Sequence, residues 1–312
     1  MGVPVKEFLE ARQLEEFRLE LVAGEKGLTR EVTTSRIQKP GLLLTGLLEE
    51  LHPDRLQIFG AAEIGYLTSL PPEKLARALG VLEKTDIPAI IVTRQLEPPN
   101  FLLNLCRKKD IPLFKTSFSS SAFIEGITKY LEERLAPSTT LHGVLVDVLG
   151  VGILLIGKSG IGKSECALDL VSRGFRLVSD DVVIVKKMPP SVLFGTSSDI
   201  IRYHMEIRGL GIVNIKDLYG ITAIREKKQM DLVVELVRWE SDSEYERLGF
   251  EEKTYNILGV ELPYLRIPVS PGRSVATIVE VAARNQILKI MGHHSAKALE
   301  AHLDNAMKGL KR

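Results

Sequence analysis

One run of eight residues constrains this chain more than any other feature: Gly157-Lys158-Ser159-Gly160-Ile161-Gly162-Lys163-Ser164. It satisfies G-x-x-x-x-G-K-[ST], the pattern of a phosphate-binding loop. Its glycines let the backbone curl so that successive N–H groups point into one concavity and hold phosphate oxygens. A helix starting at the end of such a loop turns its positive end toward the same anion. Lys163 is then placed to reach the β- and γ-phosphates of a nucleotide, and the Ser164 hydroxyl to bind Mg²⁺. The flanks supply the context this motif needs. Gly152–Ile156 reads as a strand, and Ser164–Arg173 as a helix stopped by Gly174 at C′.

The entry to the loop is unusual. His142–Val148 and Gly152–Ile156 are strand-like runs with only Leu149-Gly150-Val151 between them. So short a connection joins strands only as an antiparallel hairpin, because a parallel crossover needs about a dozen residues. Ordinary P-loop proteins begin with a βαβ unit instead. Further strands are expected at Arg176–Val178, Val182–Lys186 and Met230–Arg238, with closing helices at Ser274–Met291 and Ser295–Lys308. The second half therefore reads as an α/β unit with a mixed sheet.

The first half alternates strands (Arg55–Phe59, Ile87–Thr93, Ile111–Phe114) with helices (Pro71–Lys84, Asn100–Lys108, Ser119–Leu135), which implies a smaller α/β domain. It carries no phosphate loop, metal spacing or nucleophile motif. The polar break Ala136–Thr140 is read as a linker, giving domains 1–135 and 136–312. Lys plus Arg number 41 against 40 Asp plus Glu, so no global field steers nucleic acid or a membrane. The two cysteines, Cys106 and Cys166, make neither a disulfide framework nor a zinc spacing. The longest apolar run, roughly six to seven residues near Val151–Ile156, is far short of a membrane span. No signal-peptide core opens the chain, so a cytoplasmic location is expected.

Several side chains are candidates for chemistry. Asp180-Asp181 sits between Leu177-Val178-Ser179 and Val182–Val185. Neighbours on an extended strand face opposite ways, so at most one of the two would meet a transferred phosphoryl group unless a bulge intervenes. Phosphoryl transfer needs a proton acceptor and a magnesium ligand, and this pair could supply one or both. Glu206 is a second candidate for the metal. Pro189–Asp199, rich in Pro, Ser and Gly, reads as a flap over the site. Arg247 could stabilise charge on the transferred group. His293-His294 lacks a third ligand for zinc, and Cys166 reads as a small core residue.

Taken together, these pieces resemble the HPr kinase/phosphorylase family. The likeness runs through Leu141-His142-Gly143, the phosphate loop, Val178–Asp181, and the distinctive stretch Met205-Glu206-Ile207-Arg208-Gly209-Leu210-Gly211-Ile212-Val213. It ends in Tyr245–Gly249 and Pro268-Val269-Ser270-Pro271-Gly272-Arg273. The first half is similar around 36–46 and 56–67. The resemblance implies a fold akin to phosphoenolpyruvate carboxykinase and a homohexamer. It also implies a kinase that uses ATP or pyrophosphate to phosphorylate a serine of HPr or an HPr-like phosphocarrier, reverses this by phosphorolysis, and so regulates carbon metabolism. In site terms it implies Asp181 as proton acceptor, Ser164 and Glu206 as Mg²⁺ ligands, His142, Lys163 and Arg247 as active-site residues, and 268–273 as a segment for dephosphorylation. Lys158 stands where an aspartate is usual in the loop, and Ser270 and Ser274 replace a basic residue and an asparagine. Two other readings use the same loop: a small-metabolite kinase, or a nucleotide-sensing regulator without catalysis.

Overall fold

The computed structural model describes residues 2–41, 51–239, 253–270, 272–294 and 298–299. The chain divides into two compact units, Met1–Ala136 and Pro137–Arg312. The expected helix Ser295–Lys308 lies, but for residues 298–299, outside the described residues.

Besides a small two-stranded ribbon of Val3–Pro4 with Glu31–Val32, the first unit has strands β1 (Glu20–Ala23), β2 (Ile37–Gln38), β3 (Leu56–Phe59), β4 (Ile90–Val92) and β5 (Leu113–Lys115). The five labelled strands form a sheet in the order β1-β5-β4-β3-β2, parallel except for β1. Helices α1 (Ala61–Ser69), α2 (Pro72–Lys84), α3 (Asn100–Lys109) and α4 (Ser120–Leu135) connect and cover it. Leu56, Ile58, Ile91 and Phe114 pack on one face with Phe123 and Ile127 of α4. Ile90, Val92 and Leu113 pack on the other with Leu82 of α2 and Leu102 and Cys106 of α3. Burial on both faces explains why β4 reads as an unbroken apolar run rather than as an alternating one.

The second unit begins with β6 (Ser138–His142), β7 (Val144–Val148) and β8 (Val151–Gly157). After the phosphate loop come α5 (Lys163–Ser172), β9 (Arg176–Ser179), β10 (Val182–Met188) and β11 (Val192–Thr196). A ribbon of β12 (His204–Ile207) and β13 (Gly211–Asn214) leads into α6 (Ile215–Tyr219). The remaining elements are β14 (Lys227–Gln229), β15 (Leu232–Arg238), β16 (Lys253–Ile257), β17 (Val260–Val269) and α7 (Val275–Ile290).

Among the described residues, a six-stranded mixed sheet runs β9-β7-β8-β15-β17-β16, and a four-stranded sheet runs β14-β11-β10-β6. The expected hairpin is present: β7 and β8 pair antiparallel, with Val151 opposite Val148. Its turn places Leu149 (φ 55°) and Gly150 (φ 85°) in the left-handed conformations that a two-residue hairpin favours. Strand alternation builds three layers. Val144, Val146 and Val148 face Ala167 and Leu170 of α5 and Val279 of α7, whereas Leu145 and Leu154 face Val183, Val185 and Leu193 of the smaller sheet.

Three local expectations need correction. Ser138–Thr140 is not linker but the start of β6, which pairs with β10. His142 therefore ends a strand of the smaller sheet rather than opening β7. Gly143 makes the switch between sheets; a Cβ there would come within 2.6 Å of the Leu155 carbonyl oxygen. The Pro189–Asp199 flap is instead largely a hairpin: β11 pairs with β10 across the Pro189-Pro190-Ser191 turn, and Leu193 is buried in the core. Its Pro and Ser mark the turn, while Val192-Leu193-Phe194 supply strand residues. Finally, Asp180-Asp181 does not lie within one strand. β9 ends at Ser179 in the large sheet, β10 starts at Val182 in the small one, and Asp181 turns the chain with φ 63°.

Candidate active site

β8, β15 and β17 are parallel neighbours, with Gly157 level with Leu236 and Leu236 level with Ile267. Their carboxyl ends leave one edge of the sheet, where α/β proteins place ligands. The phosphate loop follows β8 there, and Gly157, Gly160 and Gly162 have φ 140°, 76° and 102°, the region open to glycine. Ile161 anchors the loop on the core beneath. The Lys163 ammonium donates to the carbonyls of Gly157 (3.0 Å) and Lys158 (3.3 Å). That arrangement folds the cation over the loop it would serve.

A cavity of about 130 Å³ opens above the loop. Ser159, Gly160, Gly162, Lys163 and Ser164 line it from the loop side, and Asp180, Asp181, Glu206 and Arg208 from the other. Because the chain turns at Asp181, both aspartates reach the same space. Asp180 is buried and accepts from the Ser164 hydroxyl (2.8 Å) and the Glu206 N–H (3.2 Å). Burial pushes its carboxyl above the ordinary aspartate range, against the lowering effect of these two hydrogen bonds, and nearby Asp181 pushes it further up. Asp181 is exposed at the mouth, and His142 Nδ1 lies 3.9 Å from its Oδ1.

Of the expected site residues, Ser159, Gly160, Gly162, Lys163, Ser164, Asp181 and Glu206 thus meet at one cavity, with His142 beside them. Arg247 and Pro271 lie outside the described residues. Pro268 and Val269 end β17, two strands from the loop at the same sheet edge, and Gly272 has φ 79°. None of the described residues of 268–273 lines the cavity. Ser274 caps α7 and also accepts from Arg173 of α5 (3.2 Å).

Sequence reasoning gave Arg208 no role. Its guanidinium lies against Gly160, so close that a Cβ there would fall 2.6 Å from one of its nitrogens. The available signal was its spacing, since it stands two residues beyond Glu206 on the same strand-like run.

The oxygen donors suit a hard divalent cation: the Ser164 hydroxyl, bonded to the Asp180 carboxylate, whose other oxygen meets the Glu206 backbone. Among the described residues no group of three or more His, Cys, Asp or Glu forms a self-sufficient metal cage.

Strand, glycine loop, helix and paired carboxylates on a mixed sheet define a P-loop phosphotransferase. Two family models match this chain: HPr serine kinase N terminus over residues 3–131 and HPr serine kinase C-terminal domain over residues 133–303. The chain belongs to the HPr serine kinase family. A protein named HPr kinase/phosphorylase from Geobacter sulfurreducens is 55% identical over 92% of this chain and 91% of its own length. Proteins of the same name from Leptospira biflexa (45% identical, 97% and 94% covered) and Geobacillus kaustophilus (43%, 94% and 94%) are also similar. The solved structure of the Hpr(Ser) kinase/phosphatase from Coxiella burnetii has a TM-score of 0.47 and 30% identity, covering 52% of this chain and 98% of that one. Among the described residues no helix is long and apolar enough to cross a membrane.

Proposed function

We propose that this chain is an HPr kinase/phosphorylase: it moves a phosphoryl group from ATP or pyrophosphate to a serine of HPr or an HPr-like phosphocarrier, and reverses the transfer with inorganic phosphate. The observation that carries this reading is the convergence of Lys163, Ser164, Asp181, Glu206 and Arg208 on one cavity above the phosphate loop. A Mg²⁺ ion bound between Ser164, Glu206 and the phosphates would neutralise phosphate charge, with Asp180 orienting the Ser164 hydroxyl.

In the forward direction the loop amides hold the phosphates, and Lys163 leaves its carbonyl partners for the phosphate oxygens. The serine oxygen attacks the terminal phosphorus in line, the bond to the leaving ADP (or to phosphate, when pyrophosphate is the donor) breaks, and the serine proton passes to Asp181. His142 stands beside Asp181 and helps orient it. Arg208 and Arg247 meet charge on the transferred group. In reverse, a phosphate oxygen attacks the phosphorus of phosphoserine, pyrophosphate forms, and Asp181 returns its proton to the serine. Segment 268–273 leaves the sheet at the edge that carries the loop and serves this reverse step. The catalytic work belongs to residues 136–312; residues 1–135 form a separate α/β domain. The enzyme works in the cytoplasm as a homohexamer and controls carbon metabolism.

The small-metabolite alternative is disfavoured by the relatives' names. Incubation with labelled ATP and HPr, followed by phosphate and unlabelled carrier analysis, tests both directions. Label on a serine of HPr, released as pyrophosphate on adding phosphate, is the expected result. A nucleotide-binding protein that transfers nothing to HPr would refute it.

A further inference from the structure

Arg173 caps the end of α5, the helix whose first turn carries Lys163 and Ser164. A guanidinium offers a planar fork of N–H donors, and all three of its nitrogens are engaged here. Nε donates to Asp169 Oδ1 (3.0 Å) and Nη2 to Asp169 Oδ2 (2.9 Å), a bidentate grip within the helix. Nη1 donates to the Thr277 hydroxyl (3.0 Å) and lies 3.6 Å from Glu280 Oε2, while Nη2 also donates to Ser274 Oγ (3.2 Å). Ser274, Thr277 and Glu280 are the cap and first turns of α7. Segment 268–273 ends at that cap. Its other end is the carboxyl end of β17, where the Val269 carbonyl accepts from the Trp239 N–H (3.2 Å). Between the two a turn closes from the Arg273 N–H to the Ser270 carbonyl (3.3 Å), with Gly272 at φ 79°. The Ser274 oxygen also accepts from the Thr277 N–H (3.3 Å) and hydroxyl (2.9 Å). The segment is therefore short and held between a strand end and one hydroxyl.

We infer that Arg173 is a positioning residue for phosphorolysis: by tying the Ser274 hydroxyl to the phosphate-loop helix, it sets where segment 268–273 stands relative to the loop. The inference rests on the function proposed above, which gives that segment to the reverse step. Two observations give the effect a direction. None of the described residues of the segment lines the cavity where the loop, Asp181 and Glu206 meet. In addition, α5 has its own anchorage, since Cys166, Ala167 and Leu170 are buried in the core beneath it. Loosening the tie between Arg173 and Ser274 thus shifts the segment and leaves Lys163, Ser164 and Asp181 in place. Forward transfer is spared and the reverse step is not. Lysine is no substitute at 173, because a compact ammonium cannot grip Asp169 as a fork and still reach both hydroxyls.

The test uses the full chain carrying Ser274→Ala or Arg173→Lys, with Ser274→Thr as the control that keeps the hydroxyl. Transfer from ATP to HPr and phosphate-dependent release from phosphoserine-HPr are measured on the same preparations. A misplacement of about 1 Å in a reacting geometry costs on the order of a hundredfold, so release should fall by about ten- to a hundredfold in Ser274→Ala and Arg173→Lys. Transfer from ATP should stay near wild type in both, and Ser274→Thr should restore release. Removing a helix cap lowers the melting temperature by itself, so the deciding quantity is the ratio of the two rates, which a merely structural contact would not move. Equal losses in both directions, or a lower melting temperature with the ratio unchanged, overturn the inference. Ser274→Ala keeps the Arg173 contacts to Asp169, Thr277 and Glu280, so it decides the question even where Arg173→Lys does not fold. Wild-type protein lacking either direction of transfer overturns the proposed function itself, a result read without the variants.

Discussion

Asp181 and Asp180 are adjacent in sequence and different in circumstance. Asp180 is enclosed, spends both carboxylate oxygens on Ser164 and Glu206, and is pushed upward by burial. Asp181 is 76% exposed by side chain and holds a left-handed φ of 63°, a conformation that aspartate tolerates better than most residues. The exposed outer carboxylate suits proton acceptance and the enclosed one suits positioning. Asp181→Asn should leave Mg²⁺-ATP affinity unchanged and lower transfer to HPr by about a hundred- to ten-thousandfold; single-turnover kinetics would check it, and undiminished transfer would move the base elsewhere. Arg208→Ala should cost transfer with little loss of fold, because the guanidinium rests on the loop from the exposed ribbon. At the same scale, burial pushes the Cys106 and Cys166 thiols up to about 12. Thiolate is the reactive form, so both should resist alkylation in the native protein at pH 8 and react on unfolding. The raised folded pKa also sets a sign: the thiols ionise in the unfolded chain first, so stability is lost as pH rises from about 9 toward 12. Melts across that range would show it.

At the scale of elements, one substitution acquires opposite signs in different helices. Gly65 in α1 and Gly80 in α2 have open space where a Cβ would stand, so Gly→Ala should stabilise by up to about 1 kcal/mol at each. In α4 a Cβ on Gly126 would run into the Phe17 ring, itself held edge-on by Phe118 (5.0 Å) and Phe123 (5.4 Å). Gly126→Ala should therefore destabilise by about 1–3 kcal/mol, partly offset by the same helical gain. Denaturant midpoints of the three variants would separate these cases. All three glycines sit in helical patterns, and nothing in their immediate sequence distinguishes them; the distant Phe17 does. The Pro189–Asp199 hairpin teaches the same thing. The Pro-, Ser- and Gly-rich composition of this stretch reads as a flap, whereas the strand within it was hidden because it is short, ends in Gly195-Thr196 and has its conformation decided by its partner, β10.

For the whole molecule, ligand linkage offers a direct readout. A nucleotide that binds only the folded state at a hundred times its Kd adds about 2.7 kcal/mol, which corresponds to roughly 5–10 °C for a unit of this size. Saturating Mg²⁺-ATP should raise the melting temperature by that amount, and Lys163→Ala should remove most of the shift; calorimetry of the two proteins checks both. The phosphate loop, the hairpin ahead of it and the alternating first half were readable from the chain alone, because each is dictated over a few residues by backbone freedom, apolar periodicity or connection length. Even there, the boundary between the units was blurred: Ser138–Thr140 look like linker until β10 supplies a partner. What folding alone decided was convergence. Ser164, Asp180, Glu206 and Arg208 come from three separate stretches of sequence and meet only because the chain changes sheets at Asp181 and the β12–β13 ribbon folds over the loop. Local propensity cannot encode such meetings, since they depend on long-range packing between elements whose own residues give no sign of the partner.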